Sequence, residues 1–134
     1  VGLLRRRLAE EGLDDRYDVF SAGVRALDGE GASENSVLAM AERSIDITDH
    51  VAHTITADDV ARSDLILVMS REHGEIITQT WPQYAGKVHL LSEMVGKSKD
   101  VRDPYGGSLQ QYRAAADTIS DYIQQGFDQI LELC

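Results

Sequence analysis

A single cysteine, Cys134, stands among 134 residues, so no disulfide can form within the chain. That excludes the small stapled secreted folds and makes a reducing cytoplasm the simplest setting. No apolar run reaches the roughly 18 residues that a bilayer-crossing helix requires, and no membrane association is expected. Positive charge is scarce: 13 Lys and Arg against 23 Asp and Glu give a formal net charge of −10. Such a balance excludes a general nucleic-acid or acidic-membrane surface, while leaving room for a small anion site built from backbone N–H groups. Repeats, low-complexity tracts and linker-like stretches are also absent, which leaves one domain, residues 1–134, around one core. His73 and His89 lack the cysteine or carboxylate spacing of a metal site, and neither metal nor other cofactor is expected.

What is present alternates between helix and strand signals. Leu3, Leu4 and Leu8 with a closing Gly12 predict a helix that ends on a C′ glycine. Tyr17 to Gly23 alternates and then stops at small residues, which predicts a strand running into a loop. Ser33, Asn35 and Ser36 offer caps for a helix through Val37, Leu38, Met40 and Ala41. Ile45 to His50 reads as a short extended segment, and Thr56-Ala57-Asp58-Asp59 as a capping-box start for a short helix ending near Arg62. Asp64 to Met69 reads as a strand buried on both faces, because everything after its aspartate is a continuous apolar run. A helix from Arg71 to Trp81 ends before Pro82, a short strand covers Lys87 to Leu91, and a long amphipathic helix runs from Ser108 to Leu133. Strands separated by helices predict right-handed βαβ units: an α/β fold, a three-layer sandwich with a parallel sheet.

Ahead of the last helix lies Asp103-Pro104-Tyr105-Gly106-Gly107-Ser108. Proline fixes its own φ and pushes Asp103 towards an extended conformation, and the glycine pair lets the backbone turn sharply. Ser108 is a natural N-cap with Gln111 as its capping-box partner. Taken alone the hexapeptide is an ordinary turn. A side chain fixed at the rim of a pocket would use the same construction.

In order and spacing, Phe20-Ser21-Ala22-Gly23, Ile45 to His53, Asp64 to Met69 with His73, and Asp103 to Ser108 with Tyr112 resemble one family. It is the low-molecular-weight protein tyrosine phosphatases, in the bacterial branch that includes protein-arginine phosphatases. The resemblance spans essentially the whole chain and implies the flavodoxin-like fold of that family. It also implies a protein phosphatase acting on phosphotyrosine or phosphoarginine in phosphorylated protein substrates, through a cysteinyl-phosphate intermediate. Asp103 then stands at the general acid's position and Tyr105 at the pocket wall, while Ser21 and His50 support the phosphate loop. Tyr112 is read as packing or surface. His53 stands where many relatives carry arginine, and Val24 where many carry threonine.

The family's chemistry also needs a loop with a cysteine followed six positions later by an arginine, whose backbone amides cradle phosphate at a helix N-terminus. That pattern does not occur in residues 1–134, and Cys134 lies at the wrong end to replace it. The resemblance therefore implies that a first strand and its phosphate loop, on the order of 15–20 residues, belong ahead of Val1 and are missing through truncation. Without them the sheet lacks a central strand, and each orphaned buried backbone group costs roughly 1–3 kcal/mol. Strand exchange with a second copy is one way to complete it. The expectation for these 134 residues by themselves is an inactive phosphatase domain; the alternative is a non-catalytic phosphatase-like binding or regulatory module.

Overall fold

The computed structural model describes residues 1–134. Five α-helices and two strands follow in the order α1 (Gly2–Glu10), α2 (Glu34–Ala41), α3 (Ala57–Arg62), β1 (Ile66–Val68), α4 (Arg71–Thr80), β2 (Val88–Leu90) and α5 (Leu109–Leu133). Short 3₁₀ turns at Pro82–Lys87 and Leu91–Val95 flank β2.

Local chemistry sets the helix ends. Gly12 takes φ +69° beyond α1, Gly12 N–H donates to Ala9 C=O (3.1 Å), and Leu13 N–H donates to Leu8 C=O (2.8 Å). Those two bonds form the Schellman closure that a C′ glycine permits. Reciprocal capping boxes open α3 (Thr56 with Asp59) and α5 (Ser108 with Gln111) as the sequence predicts. In α2 the cap is Ser33, whose hydroxyl accepts from the Ser36 amide at 3.3 Å.

β1 and β2 pair in parallel, Ile66 opposite Val88 and Val68 opposite Leu90. Side chains alternate across a strand, and β1 uses both faces. Ile66 and Val68 pack with Val60, Ile77 and Leu90 on the side of α3 and α4. Leu65, Leu67 and Met69 pack with Leu91, Met94, Ile123 and Ile130 on the side of α1 and α5. The result is the expected three-layer α/β arrangement, with the continuous apolar run of residues 65–69 explained by two apolar neighbours.

The predicted strand over residues 17–23 does not form. A segment with strand-like alternation becomes a strand only when a neighbour takes its N–H and C=O groups. Here the only strand-like pairing is a single parallel bridge between Gly23 and Thr54. The extended segment is held by side chains instead. The Arg5 guanidinium donates from Nε to the Val19 carbonyl at 3.0 Å, and the Arg62 guanidinium stacks on Phe20, 4.4 Å from the ring centre. Ile45 to His50 likewise forms no strand: Asp46 Oδ1 accepts from the Thr48 amide at 2.9 Å and closes a local turn.

Candidate active site

β1 ends at Val68, and the chain beyond its carboxyl end is where ligands bind in open parallel α/β sheets. A cavity of about 1010 Å³ opens there, lined in part by Met69, the amino end of α1 (Val1, Gly2, Leu3), α2 and α5. Asp103, Pro104 and Tyr105 form part of the same lining. The aspartate loop and the amino end of the first helix thus face one shared space, although 100 residues of sequence separate them.

The loop carrying Asp103 is fastened on its upstream side by three bonds. The Lys99 amide donates to the Ser92 hydroxyl (2.9 Å), Asp100 Oδ1 accepts from the Arg71 amide at the start of α4 (3.0 Å), and the Val101 amide donates to the Met69 carbonyl (2.7 Å). A carboxylate at a helix N-terminus, as at Asp100, satisfies an otherwise free donor and suits the helix dipole. Downstream, Gly106 adopts φ +76° and the Gly107 amide donates to Pro104 C=O at 2.7 Å. A side chain at Gly107 would bring its Cβ within 2.2 Å of Gln111 Oε1 and 2.7 Å of the Pro104 carbonyl oxygen, so the tight turn requires glycine there. Asp103 Oδ1 accepts from the Tyr105 amide at 3.0 Å, which fixes the direction of the carboxylate. Its side chain is exposed at the rim, and Tyr105 is 82% exposed beside it.

The other two predicted site residues are placed apart from this lining. Ser21 is exposed; His50 is half-buried, its amide closing a turn onto the Ile47 carbonyl at 3.1 Å. Arg25, Leu27 and Glu30 line the cavity without having been singled out from the sequence, and Tyr112, read as packing or surface, joins them. Arg25 reaches Glu72 at 3.1 Å across the surface. No one-dimensional signal marks these residues, because the loop over 24–32 has no periodicity to read. Cys134 is no substitute nucleophile: burial of part of its thiol, and then the Asp64 charge, push its pKa up, against the thiolate that attack requires.

The fold and site define a parallel α/β protein with an aspartate-bearing loop at the carboxyl end of its sheet. Residues 2–132 match the family described as low molecular weight phosphotyrosine protein phosphatase, and the chain belongs to that family. Relatives bear this out. The chain is 36% identical over 124 residues to the protein-arginine-phosphatase of Bacillus subtilis, covering 91% of this chain and 81% of that one. It is 36% identical over 106 residues to the low molecular weight protein-tyrosine-phosphatase Ptp of Acinetobacter johnsonii, covering 77% and 73%. The crystal structure of a low molecular weight protein tyrosine phosphatase from T. tengcongensis superposes with a TM-score of 0.89 at 33% identity, covering 96% of this chain and 86% of that one.

Proposed function

We propose that these residues form the acid–base and substrate-facing part of a protein phosphatase that removes phosphate from tyrosine or arginine side chains of phosphoproteins. The reading is carried by one observation: Asp103 lines the same cavity as the amino end of α1, in a chain of this family. Asp103 acts twice. A cysteine thiolate in a Cys-(five residues)-Arg loop attacks phosphorus; the P–S bond forms as the bond to the leaving oxygen or guanidinium nitrogen breaks, and protonated Asp103 gives that atom its proton. Water then attacks the cysteinyl phosphate, Asp103 takes the water's proton, and the P–S bond breaks to release inorganic phosphate and the thiolate. Tyr105, exposed at the rim, supplies an aromatic wall for a planar substrate group. Ser21 and His50 are proposed to steady the phosphate loop through hydrogen bonds. Residues 1–134 hold no such cysteine, so by themselves they do not turn over substrate.

The test compares the 134-residue chain with a form carrying a strand and a Cys-(five residues)-Arg loop ahead of Val1, on aryl phosphate, phosphotyrosine peptide and phosphoarginine. Turnover is expected only in the extended form, and Asp103→Ala should lower it by roughly 10²–10⁴-fold. Equal turnover by Asp103→Ala would remove Asp103 from the chemistry. Phosphopeptide binding by the extended form without any hydrolysis would favour the non-catalytic module instead.

A further inference from the structure

Asn35 sits in the first turn of α2 and is not that helix's cap, a role taken by Ser33. Its Nδ2 instead donates to the carbonyl of Gly107 at 3.1 Å, across 72 positions of sequence, from a half-buried site. The next amide, that of Ser108, donates to Gln111 Oε1 at 2.9 Å. The peptide unit joining Gly107 to Ser108 is therefore gripped at its oxygen by α2 and at its nitrogen by α5.

Residues 102–106 make no hydrogen bond to the protein outside their own turn; their bonds are the internal ones from the Tyr105 amide to Asp103 and from the Gly107 amide to Pro104. The arc carrying Asp103 is suspended between two posts. One is the main-chain bond from Val101 to Met69. The other is Gly107, where Asn35 is the side chain that reaches in from another element.

We propose that Asn35 is a positioning residue for the acid–base step: it holds the downstream end of the arc so that the Asp103 carboxylate stays at the cavity rim. The proposal rests on the phosphatase reading of Asp103. An amide is the fitting group, since it donates to a carbonyl without bringing a charge to a cavity rim already occupied by a carboxylate. Losing the bond leaves the downstream end of the arc held only through the Ser108 amide's bond to Gln111, with the Gly107 carbonyl released. Asp103 then spends less time within reach of the leaving atom, where a misplacement of about 1 Å is costly.

Two measurements test it. In the 134-residue chain, Asn35→Asp (same shape, no donor when ionised) and Asn35→Ala are compared by amide hydrogen exchange. Exchange at Tyr105 and Gly107 should rise about fivefold, as expected for the loss of one ordinary hydrogen bond, while Val101 is unchanged. In the form bearing the Cys-(five residues)-Arg loop, both variants should lower kcat/KM for phenyl phosphate, whose leaving group needs a proton, and spare p-nitrophenyl phosphate, whose leaving group needs it less. Asn35→Gln, which keeps the donor, should recover part of the loss. Unchanged exchange, or an equal loss on both esters, would overturn the proposal. No turnover by the unsubstituted form would sink the phosphatase reading instead, and the exchange result would still decide whether Asn35 holds the loop.

Discussion

The hydroxyl of Ser92, which has no exposed surface, accepts a hydrogen bond from the main-chain amide of Lys99 at 2.9 Å. Ser92 belongs to the turn after β2, and Lys99 to the start of the segment that leads to Asp103, so a buried side chain ties the core to the approach of the site loop. Ser92→Ala should lower unfolding free energy by about 1–2 kcal/mol, because the Lys99 amide loses its acceptor in a part-buried position. Urea denaturation measures this. A change near zero would mean that the amide finds another partner.

Gly126 sets two opposing effects against each other. Alanine in the middle of a helix is favoured over glycine by about 0.8–1 kcal/mol. A Cβ at Gly126, however, would stand 2.6 Å from Met94 Cβ and 3.0 Å from the Met94 carbonyl oxygen, where α5 crosses the 3₁₀ turn after β2. The obstacle includes backbone, which cannot swing aside, and overpacking of this kind costs roughly 1–3 kcal/mol. Gly126→Ala should therefore destabilise the protein on balance, with a lowered thermal midpoint. A stabilised variant would show that the turn can retreat from α5.

Asp59 predicts the sign of an acid effect. Burial alone would raise its pKa, but hydrogen bonds from the Thr56 amide, the Arg62 guanidinium, the Thr56 side chain and His53 outweigh burial and hold it below the usual aspartate range. A carboxyl group whose pKa is lower folded than unfolded contributes stability that is complete above the unfolded value of about 4 and is lost as pH falls through the folded one. Asp59→Ala should cost about 1–3 kcal/mol at neutral pH, since it removes half of a capping box and an ion-pair partner. Its stability should also fall less steeply than that of the parent below about pH 4. Parallel stability–pH curves for the two proteins would contradict the assignment.

Tyr105 separates binding from folding. At 82% exposure its ring contributes little to the core, so Tyr105→Ala should leave stability within about 0.5 kcal/mol. If the ring walls the pocket as proposed, kcat/KM for an aryl phosphate in the loop-bearing form should drop by roughly 2–10-fold, the value of one aromatic contact. Lost stability with unchanged kinetics would make Tyr105 a cover for its own loop.

Helix ends and the two-sided apolar packing of β1 were legible in the sequence. The closure at Gly12, the Thr56–Asp59 box and the Ser108–Gln111 box each join groups no more than five residues apart, so the interaction is written in neighbouring letters. The apolar run ending at Met69 likewise has only one comfortable environment, a strand with both faces covered. The turn that carries Asp103 was visible for the same reason, since proline and two glycines build it locally; the acid's role was read from the family resemblance and not from the turn.

Tertiary structure alone decided the rest. Residues 17–23 alternate like a strand, yet with only the Gly23–Thr54 bridge for pairing they form none. Asn35 looks like a cap, yet Ser33 takes that place and the amide of Asn35 finds Gly107 far along the chain. Arg25 and Leu27 become lining because helices on either side of their loop pack as they do. Caps and periodicity are short-range and can be read from neighbours; a ladder, a clamp or a cavity needs a partner that the order of residues does not name.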